Sequence, residues 1–455
     1  GLEFRRVLFR SAALRHLAGV LAPLASGISD YGEALLDHLA PLVEQIDVFI
    51  ADYTPSKKFT APNLKIRPWR EFEPEHELGR YDSVVYQIGN NPYHVYIYDL
   101  AVRIPGVLIL HEFNLHYLLT DCTIKRNDWD GYIEEVYYNG GIGAMDHARR
   151  AQLGLTQPDF KGLPMNRRLL ERSQAAVVHS QFMVDLLGGT GIPLPVRQIP
   201  HGVEFPEFNR QAVRSKLAQR TGWHLLDGDP VIGVFGFLKP YKSIHQTIRA
   251  VAELRQQFPR VKLVLAGEEH PHYPLRPLIS ELGMDGDISV LGYQPHEDFL
   301  ETMAAVDITV NLRWPTAGET SGSLLWSLAM AKPTLVSEVG SFQELPEGTA
   351  VRIPVGENET RWIAGWLRAL LSEPALALQM GAAGQAFAKA HCGWEKVARQ
   401  YVEFLTESAA RSKAEPKEPE IQLPAKTRPV RIAAPQQTLP SAEQLADYIM
   451  EFCQK

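Results

Sequence analysis

Short runs of consecutive apolar residues alternate with longer stretches of helical period along most of the chain. In the first half the runs are LAGVLA at 17–22, IDVFIAD at 46–52, SVVYQIG at 83–89, GVLILHE at 106–112, AAVVHS at 175–180 and VRQIP at 196–200. Between the first two, residues 29–40 place Ala34, Leu35 and Leu39 on one helical face. From 229 to 355 the alternation is cleaner: VIGVFGF, SIHQTIRAVAELRQQF, VKLVLAGE, ISVLGY, DITVNLR, TLVSE and AVRIPV follow in order. Unbroken Val, Ile and Leu runs mark strands buried on both faces of a parallel sheet. Their alternation with helices predicts an α/β fold of two doubly wound, Rossmann-like domains. Ligands of such sheets bind beyond the carboxyl ends of the strands, so the expected site is a cleft between two facing domains.

Punctuation divides the chain further. Residues 1–11 (GLEFRRVLFRS) share no apolar period with the residues after them and are read as a cloning scar. Leu17–Ala25 could imitate a signal peptide, but LAGVL is read as a buried first strand ending at Pro23, because cleavage after Ala25 would delete the start of an α/β domain. The first domain is expected over 12–207, a linker that carries a helix over 208–228 and the second domain over 229–394. A helix at 395–411 is expected to return to the first domain. The proline-rich stretch 412–440 reads as an extended linker, and 441–455 as a terminal helix with Leu445, Tyr448, Ile449 and Phe452 on its apolar face.

Composition narrows the function. The 455 residues are 45% hydrophobic and 22% charged, which excludes wholesale disorder. The formal net charge of −7 excludes a broadly basic, sequence-independent nucleic-acid binder, though not a local basic site. No apolar run is long enough to span a membrane. Cys122, Cys392 and Cys453 form no C-x-x-C pair, which suits a reducing, cytoplasmic compartment.

Three stretches could carry chemistry. The strand ending at Gly236 runs through Phe237-Leu-Lys239-Pro-Tyr-Lys242-Ser243 into a helix, and a lysine beside helix N–H groups is an anion site. A Walker A loop is disfavoured because Tyr241 stands where its second glycine belongs. The second stretch runs from Asn311 to Pro333, with Glu319 just before a helix start. Either Glu319 caps that helix, or its carboxylate accepts sugar hydroxyls while the amides of Thr320, Ser321 and Gly322 hold phosphate. The third comprises Gly27-Ile28 at a strand–helix turn and His111-Glu-Phe-Asn114-Leu-His116 after a strand. That spacing misses the zincin H-E-x-x-H by one residue. The D-x-D triplets at 128, 227 and 285 are too scattered to argue for metal. Residues 147–172 hold Arg149, Arg150, Lys161, Arg167, Arg168 and Arg172, chiefly a solvated face, with anionic lipid or an anionic acceptor as the alternative.

Taken in order, SGISDYGEALL, HE, VVHSQFMVDLL, IPHGVE, FGFLKPYKSI, LVLAGE, LGYQPHEDFLETMAAVDITVNL, GETSGSLLWSLAMAKPTLVSEVGSFQEL and GWEKVARQYVEFL resemble the family 4 retaining glycosyltransferases of GT-B fold, over roughly residues 15–410. The resemblance implies retaining transfer of a sugar, hexosyltransferase-like, from a nucleoside-diphosphate sugar to a saccharide or lipid-linked acceptor. It implies no metal and no cofactor beyond that co-substrate. Polysaccharide or glycoconjugate assembly, in the cytoplasm or at the inner membrane face, is the implied setting. Lys242, Glu319 and His111 would be catalytic: Lys242 neutralises the departing diphosphate, Glu319 holds sugar hydroxyls and His111 faces the sugar. Gly27, Ile28, Gly236, Lys239, Glu268, Tyr293, Arg313, Thr320, Ser321, Gly322, Ser323 and Ser327 would bind the donor, and Asn90, Asn114 and His116 would lie on the acceptor side.

Two departures stand out. Phe237 replaces the arginine of the family's G-R-L-x-P-x-K-G, and either Arg313 or Lys239 is expected to supply the lost charge. Ser327 stands where the family's second glutamate grips the ribose. These departures keep a nucleotide-sugar epimerase or a non-catalytic GT-B relative as the alternative.

Overall fold

Every named strand pair in the computed structural model is parallel, and the strands form two sheets. The structure describes residues 16–19, 21 and 27–414. The scar over 1–11, the tail beyond Ala414 and the terminal helix at 441–455 lie outside the described residues.

The first sheet contains β1 (His16–Ala18), β2 (Ile46–Ile50), β3 (Leu64–Pro68), β4 (Val84–Ile88), β5 (Val107–Leu110), β6 (Ala175–Val178) and β7 (Val196–Gln198). Its spatial order is β3-β2-β1-β4-β5-β6-β7. All residues of β2, β4, β5 and β6 are buried, as two helix-covered faces require. β1 covers 16–18 rather than the expected 17–22. β3 was not expected: Lys65 and Arg67 interrupt its apolar residues, a pattern that suits an edge strand. The helix Trp129–Gln152, broken at Gly141 (φ 72°), was also unforeseen.

The second sheet contains β8 (Val231–Phe235), β9 (Lys262–Ala266), β10 (Ile288–Gly292), β11 (Ile308–Asn311), β12 (Thr334–Ser337) and β13 (Val351–Ile353), in the order β10-β9-β8-β11-β12-β13. The helix Ile244–Leu254 buries Ile244, Thr247, Ile248, Val251 and Leu254, one face at helical spacing, in the core over this sheet.

The chain divides into two compact units. Among the described residues the first takes those up to Val178, Val184–Ile199 and from Ala398 on; the second takes His179–Met183 and Pro200–Val397. The stretch 208–228, expected to be a linker that carries a helix, does contain one, Arg210–Thr221. Asn209 caps it through a bond from Ala212 N to Oδ1 (2.9 Å), and Gly222 ends it in the left-handed region. Val213 and Leu217, four residues apart, pack with Met303, Ala304 and Ala305, so this helix is part of the second unit. The helix Trp394–Ala414 overruns the expected linker start at 412.

Candidate active site

In the second sheet the strand order reverses between β8 and β11, so the loops leaving their carboxyl ends are neighbours. The loop after β8 begins at Gly236 (φ 85°), where an added Cβ would lie 2.8 Å from Lys242 Nζ. Glycine takes this backbone angle without strain. Pro240–Lys242 form a single 3-10 turn, and Ser243 opens the next helix in the left-handed region (φ 52°, ψ 40°). Lys242 is buried, with Nζ donating to Phe235 O at 3.0 Å. Burial pushes the Lys242 ammonium well below the ordinary lysine range; repulsion from Arg313 and then Lys239 adds to that, and Glu319 opposes it. A lysine so placed gains most from a polyanion.

The loop after β11 is tied to this turn. Trp314 N donates to Tyr241 O at 2.7 Å, and Arg313 N donates to Ser337 Oγ at 2.8 Å on β12. Glu319 Oε1 accepts from Arg313 Nη1 (3.0 Å), while Oε2 accepts from Thr316 Oγ1 (3.0 Å) and Ala317 N (2.7 Å). Ser321, rather than Glu319, caps the helix Gly322–Ala329, its Oγ accepting from Leu324 N at 3.3 Å. Asn311 orients that start: its Nδ2 donates to Ser323 Oγ (2.8 Å) and its Oδ1 accepts from Ser321 Oγ (3.0 Å). Thr320 Oγ1 is buried without a hydrogen-bond partner among the described residues.

Lys242, Arg313, Glu319, Ser321 and Ser323 are thus drawn together, with Gly236, Thr320 and Gly322 in the same two loops. Asn311, Thr316 and Ser337 join them unforeseen. Lys239 Nζ lies over the Phe237 ring (5.7 Å from its centroid), and Phe237 is exposed. Glu268 is exposed, its carbonyl accepting from Leu238 N at 2.8 Å, and Tyr293 is exposed just past β10. Ser327 is not brought to the cluster. Its hydroxyl donates to Ser323 O (2.9 Å) and faces Met303 Sδ (3.7 Å), because a helical serine readily bonds the carbonyl one turn back.

In the first unit, Gly27 is the first residue of the helix Gly27–Leu39. Ile28 reaches Gly89, where an added Cβ would lie 2.2 Å from Ile28 Cδ1. His111 follows β5, with its N–H on Ile88 O (3.0 Å) and its ring edge-on to Tyr31 at 5.0 Å. The acceptor-side expectation does not hold for His116. The ring is fully buried, with Nδ1 on Leu163 O (2.8 Å) and Nε2 on Tyr132 Oη (2.7 Å), and burial pushes it down to about 4. It is a core histidine with both nitrogens satisfied internally. Asn114 accepts from His116 N (2.9 Å) and donates to Phe160 O (2.7 Å), and Asn90 Oδ1 accepts from Leu118 N (2.9 Å). These two amides hold the start of the helix His116–Cys122.

Residues 216–387 match the family model of glycosyl transferases group 1. The chain is 26% identical over 298 residues to D-inositol 3-phosphate glycosyltransferase of Nocardia farcinica, covering 62% of each protein. It is 27% identical over 178 residues to alpha-D-kanosaminyltransferase of Streptomyces kanamyceticus, covering 39% of this chain and 45% of that one. The matches thus span about half the length of these curated relatives. Among solved structures, sucrose-phosphate synthase of Thermosynechococcus elongatus superposes with a TM-score of 0.65 at 18% identity, over 88% of this chain and 100% of that one. HepE of Anabaena, solved with UDP and glucose, gives 0.58 at 17% identity over 87% and 100%. The fold is that of the GT-B glycosyltransferases.

Proposed function

We propose that the chain transfers a sugar from a nucleoside-diphosphate sugar to a saccharide or lipid-linked acceptor, with retention at the anomeric carbon and without an obligatory metal. The observation that carries this reading is a buried lysine and an arginine–glutamate pair at the reversal point of the second sheet, beside a capped helix N-terminus. Breaking a glycosyl–phosphate bond builds negative charge on the departing diphosphate. Lys242 and the amides of Thr320–Ser323 would stabilise that charge from fixed positions. Glu319 would accept hydroxyls of the sugar while its other bonds hold it still. Retention follows from the family resemblance, in which an oxygen of the leaving phosphate takes the acceptor's proton; no side chain is assigned as base. The first unit is read as the acceptor-binding half.

The reading is tested by melting the protein against a panel of nucleoside diphosphates and their sugars, since a ligand of the native state raises the melting temperature. A responding donor is then incubated with candidate acceptors, and the anomeric configuration of the product is read by NMR. A panel without any shift, or a product of inverted configuration, contradicts the corresponding part of the proposal. The exposed Phe237 keeps an epimerase as the second reading. Sugar epimerised without acceptor would favour it.

No described helix is long and apolar enough to cross a membrane. Peripheral attachment is proposed instead, supported by exposed Ile142, Leu153 and Leu155 beside exposed Arg149 and Arg150.

A further inference from the structure

A departing nucleoside diphosphate carries at least two negative charges, and one buried ammonium does not match them. Phe237, on the first of the two loops, brings no charge, so a second cation has to come from elsewhere in the same loops. Lys239 and Arg313 are the two candidates, and the geometry separates them. The Lys239 ammonium lies over the Phe237 ring, 5.7 Å from its centroid, on a half-buried side chain. Arg313 is drawn inward, its side chain only 14% exposed. The bond from Trp314 N to Tyr241 O (2.7 Å) joins the residue after Arg313 to the residue before Lys242, so the two loops deliver both cations to one place. Arg313 is also the largest cause, after burial itself, of the depressed Lys242 ammonium.

We infer that Arg313 is the second diphosphate-binding cation of this site, held ready by Glu319 and Ser321; the inference rests on the donor-binding reading above. In the resting protein Nη1 bonds Glu319 Oε1 (3.0 Å) and Nη2 bonds Ser321 Oγ (3.3 Å), which fixes the plane of the guanidinium. A guanidinium is a planar fork of five donors that suits a carboxylate and a phosphate at once, where an ammonium offers a single point of charge. The pairing with Glu319 has a second consequence. It holds a cation beside a buried lysine without donor present, and it links the diphosphate to the group that holds the sugar. Ser337 and Asn311 complete the support, the first through Arg313 N and the second through Ser321.

The test is calorimetric titration of UDP, GDP, ADP and dTDP, with the corresponding monophosphates, into wild type, R313Q, E319Q, F237R and the double variant R313Q/F237R. R313Q should weaken the diphosphate that wild type binds by about tenfold or more, as loss of a charge-assisted contact implies. It should weaken the monophosphate much less. F237R should restore most of the loss in the double variant, because it returns a guanidinium to the mouth of the first loop. E319Q, whose amide oxygen can still accept from Arg313, should weaken the bare diphosphate clearly less than R313Q does. R313Q binding the diphosphate normally, or losing it to the same extent as E319Q without rescue by F237R, overturns the role of Arg313 and leaves a merely positioning arginine. Wild type that binds none of the diphosphates overturns the donor-binding reading itself, and this inference with it.

Discussion

Ser243 donates its hydroxyl to Glu359 Oε1 at 2.9 Å, and through that bond the residue after Lys242 is pinned to the start of the helix Glu359–Ser372. Ser243 occupies the left-handed region, which costs an L-residue about 1–2 kcal/mol relative to glycine. Glu359 is buried, which raises its carboxyl, and the Ser243 bond works in the opposite direction. Ser243→Ala keeps the strained angle and loses the bond, so it should destabilise the protein by about 1–3 kcal/mol. Ser243→Gly loses the bond but relieves the angle, and should cost clearly less. Urea unfolding of both variants at pH 7 measures the difference; equal losses would mean that the angle carries no strain.

Lys242→Ala should lower turnover about 100-fold or more, as removal of a preorganised charge at a departing anion implies. Its melting temperature should hold or rise, because a buried and poorly compensated ammonium is removed. The pH dependence has a definite sign. Burial sets the Lys242 ammonium below the ordinary lysine value. Diphosphate affinity is therefore fully present below that lowered value and falls as pH rises through it. Lys242→Ala should abolish this alkaline limb. Near-normal turnover in the variant would remove Lys242 from the site.

The strands were legible wherever both faces are covered, because their runs of Val, Ile and Leu need no partner to be recognised. β3 escaped because an edge strand tolerates Lys65 and Arg67, and the helix within 208–228 was legible while its packing into the second unit was not, because only Val213, Arg214 and Leu217 are buried along it. Lys242 and Glu319 could be picked out by residue type and position. Their meeting could not, since it depends on β8 lying beside β11, a fact of sheet order rather than of spacing. Asn311 and Ser337 look like ordinary strand-end residues until the neighbouring loop is folded against them. Ser327 failed for a local reason: one turn of helix places its hydroxyl on Ser323 O.

Glu319→Ala should weaken binding of the intact donor much more than binding of the bare nucleoside diphosphate. Its carboxylate has three partners in the resting site, and those leave with the side chain while the helix amides remain. Competition titrations with donor and diphosphate separate the two effects. Parallel losses for both ligands would assign Glu319 to loop architecture rather than to the sugar.

Acid should unfold the first unit through its histidines. His94 and His116 are both buried and both pushed down to about 4 by that burial. The unfolded chain binds protons on these rings from about pH 6.5, where imidazole ordinarily titrates. Stability is therefore full above that value and is lost as pH falls toward about 4, by on the order of 3 kcal/mol for each ring. His116→Gln, whose amide can still meet Leu163 O and Tyr132 Oη, should flatten part of this dependence in urea titrations between pH 7 and 4.5. An unchanged slope would place the acid sensitivity elsewhere.

The proposed membrane attachment is open to the same kind of test. Ile142, Leu153 and Leu155 are 72%, 54% and 73% exposed, and each apolar side chain of this size gains about 1.5–3 kcal/mol on leaving water. Arg149 and Arg150 stand on the same stretch, and basic residues near an anionic surface add about 1 kcal/mol each. Arg150 pairs with Asp146 at 2.9 Å, and Arg167 and Arg168 pair with Glu171 and Glu135, so the charge available to lipid is smaller than residues 147–172 suggest. Apolar contact should therefore dominate. Binding to vesicles containing phosphatidylglycerol should be reversible, only modestly weakened by salt, and lost in Leu153→Glu/Leu155→Glu. Co-sedimentation measures it. Wild type that stays in the supernatant would end the membrane reading, whereas binding abolished by salt and indifferent to the leucines would transfer it to the arginines alone.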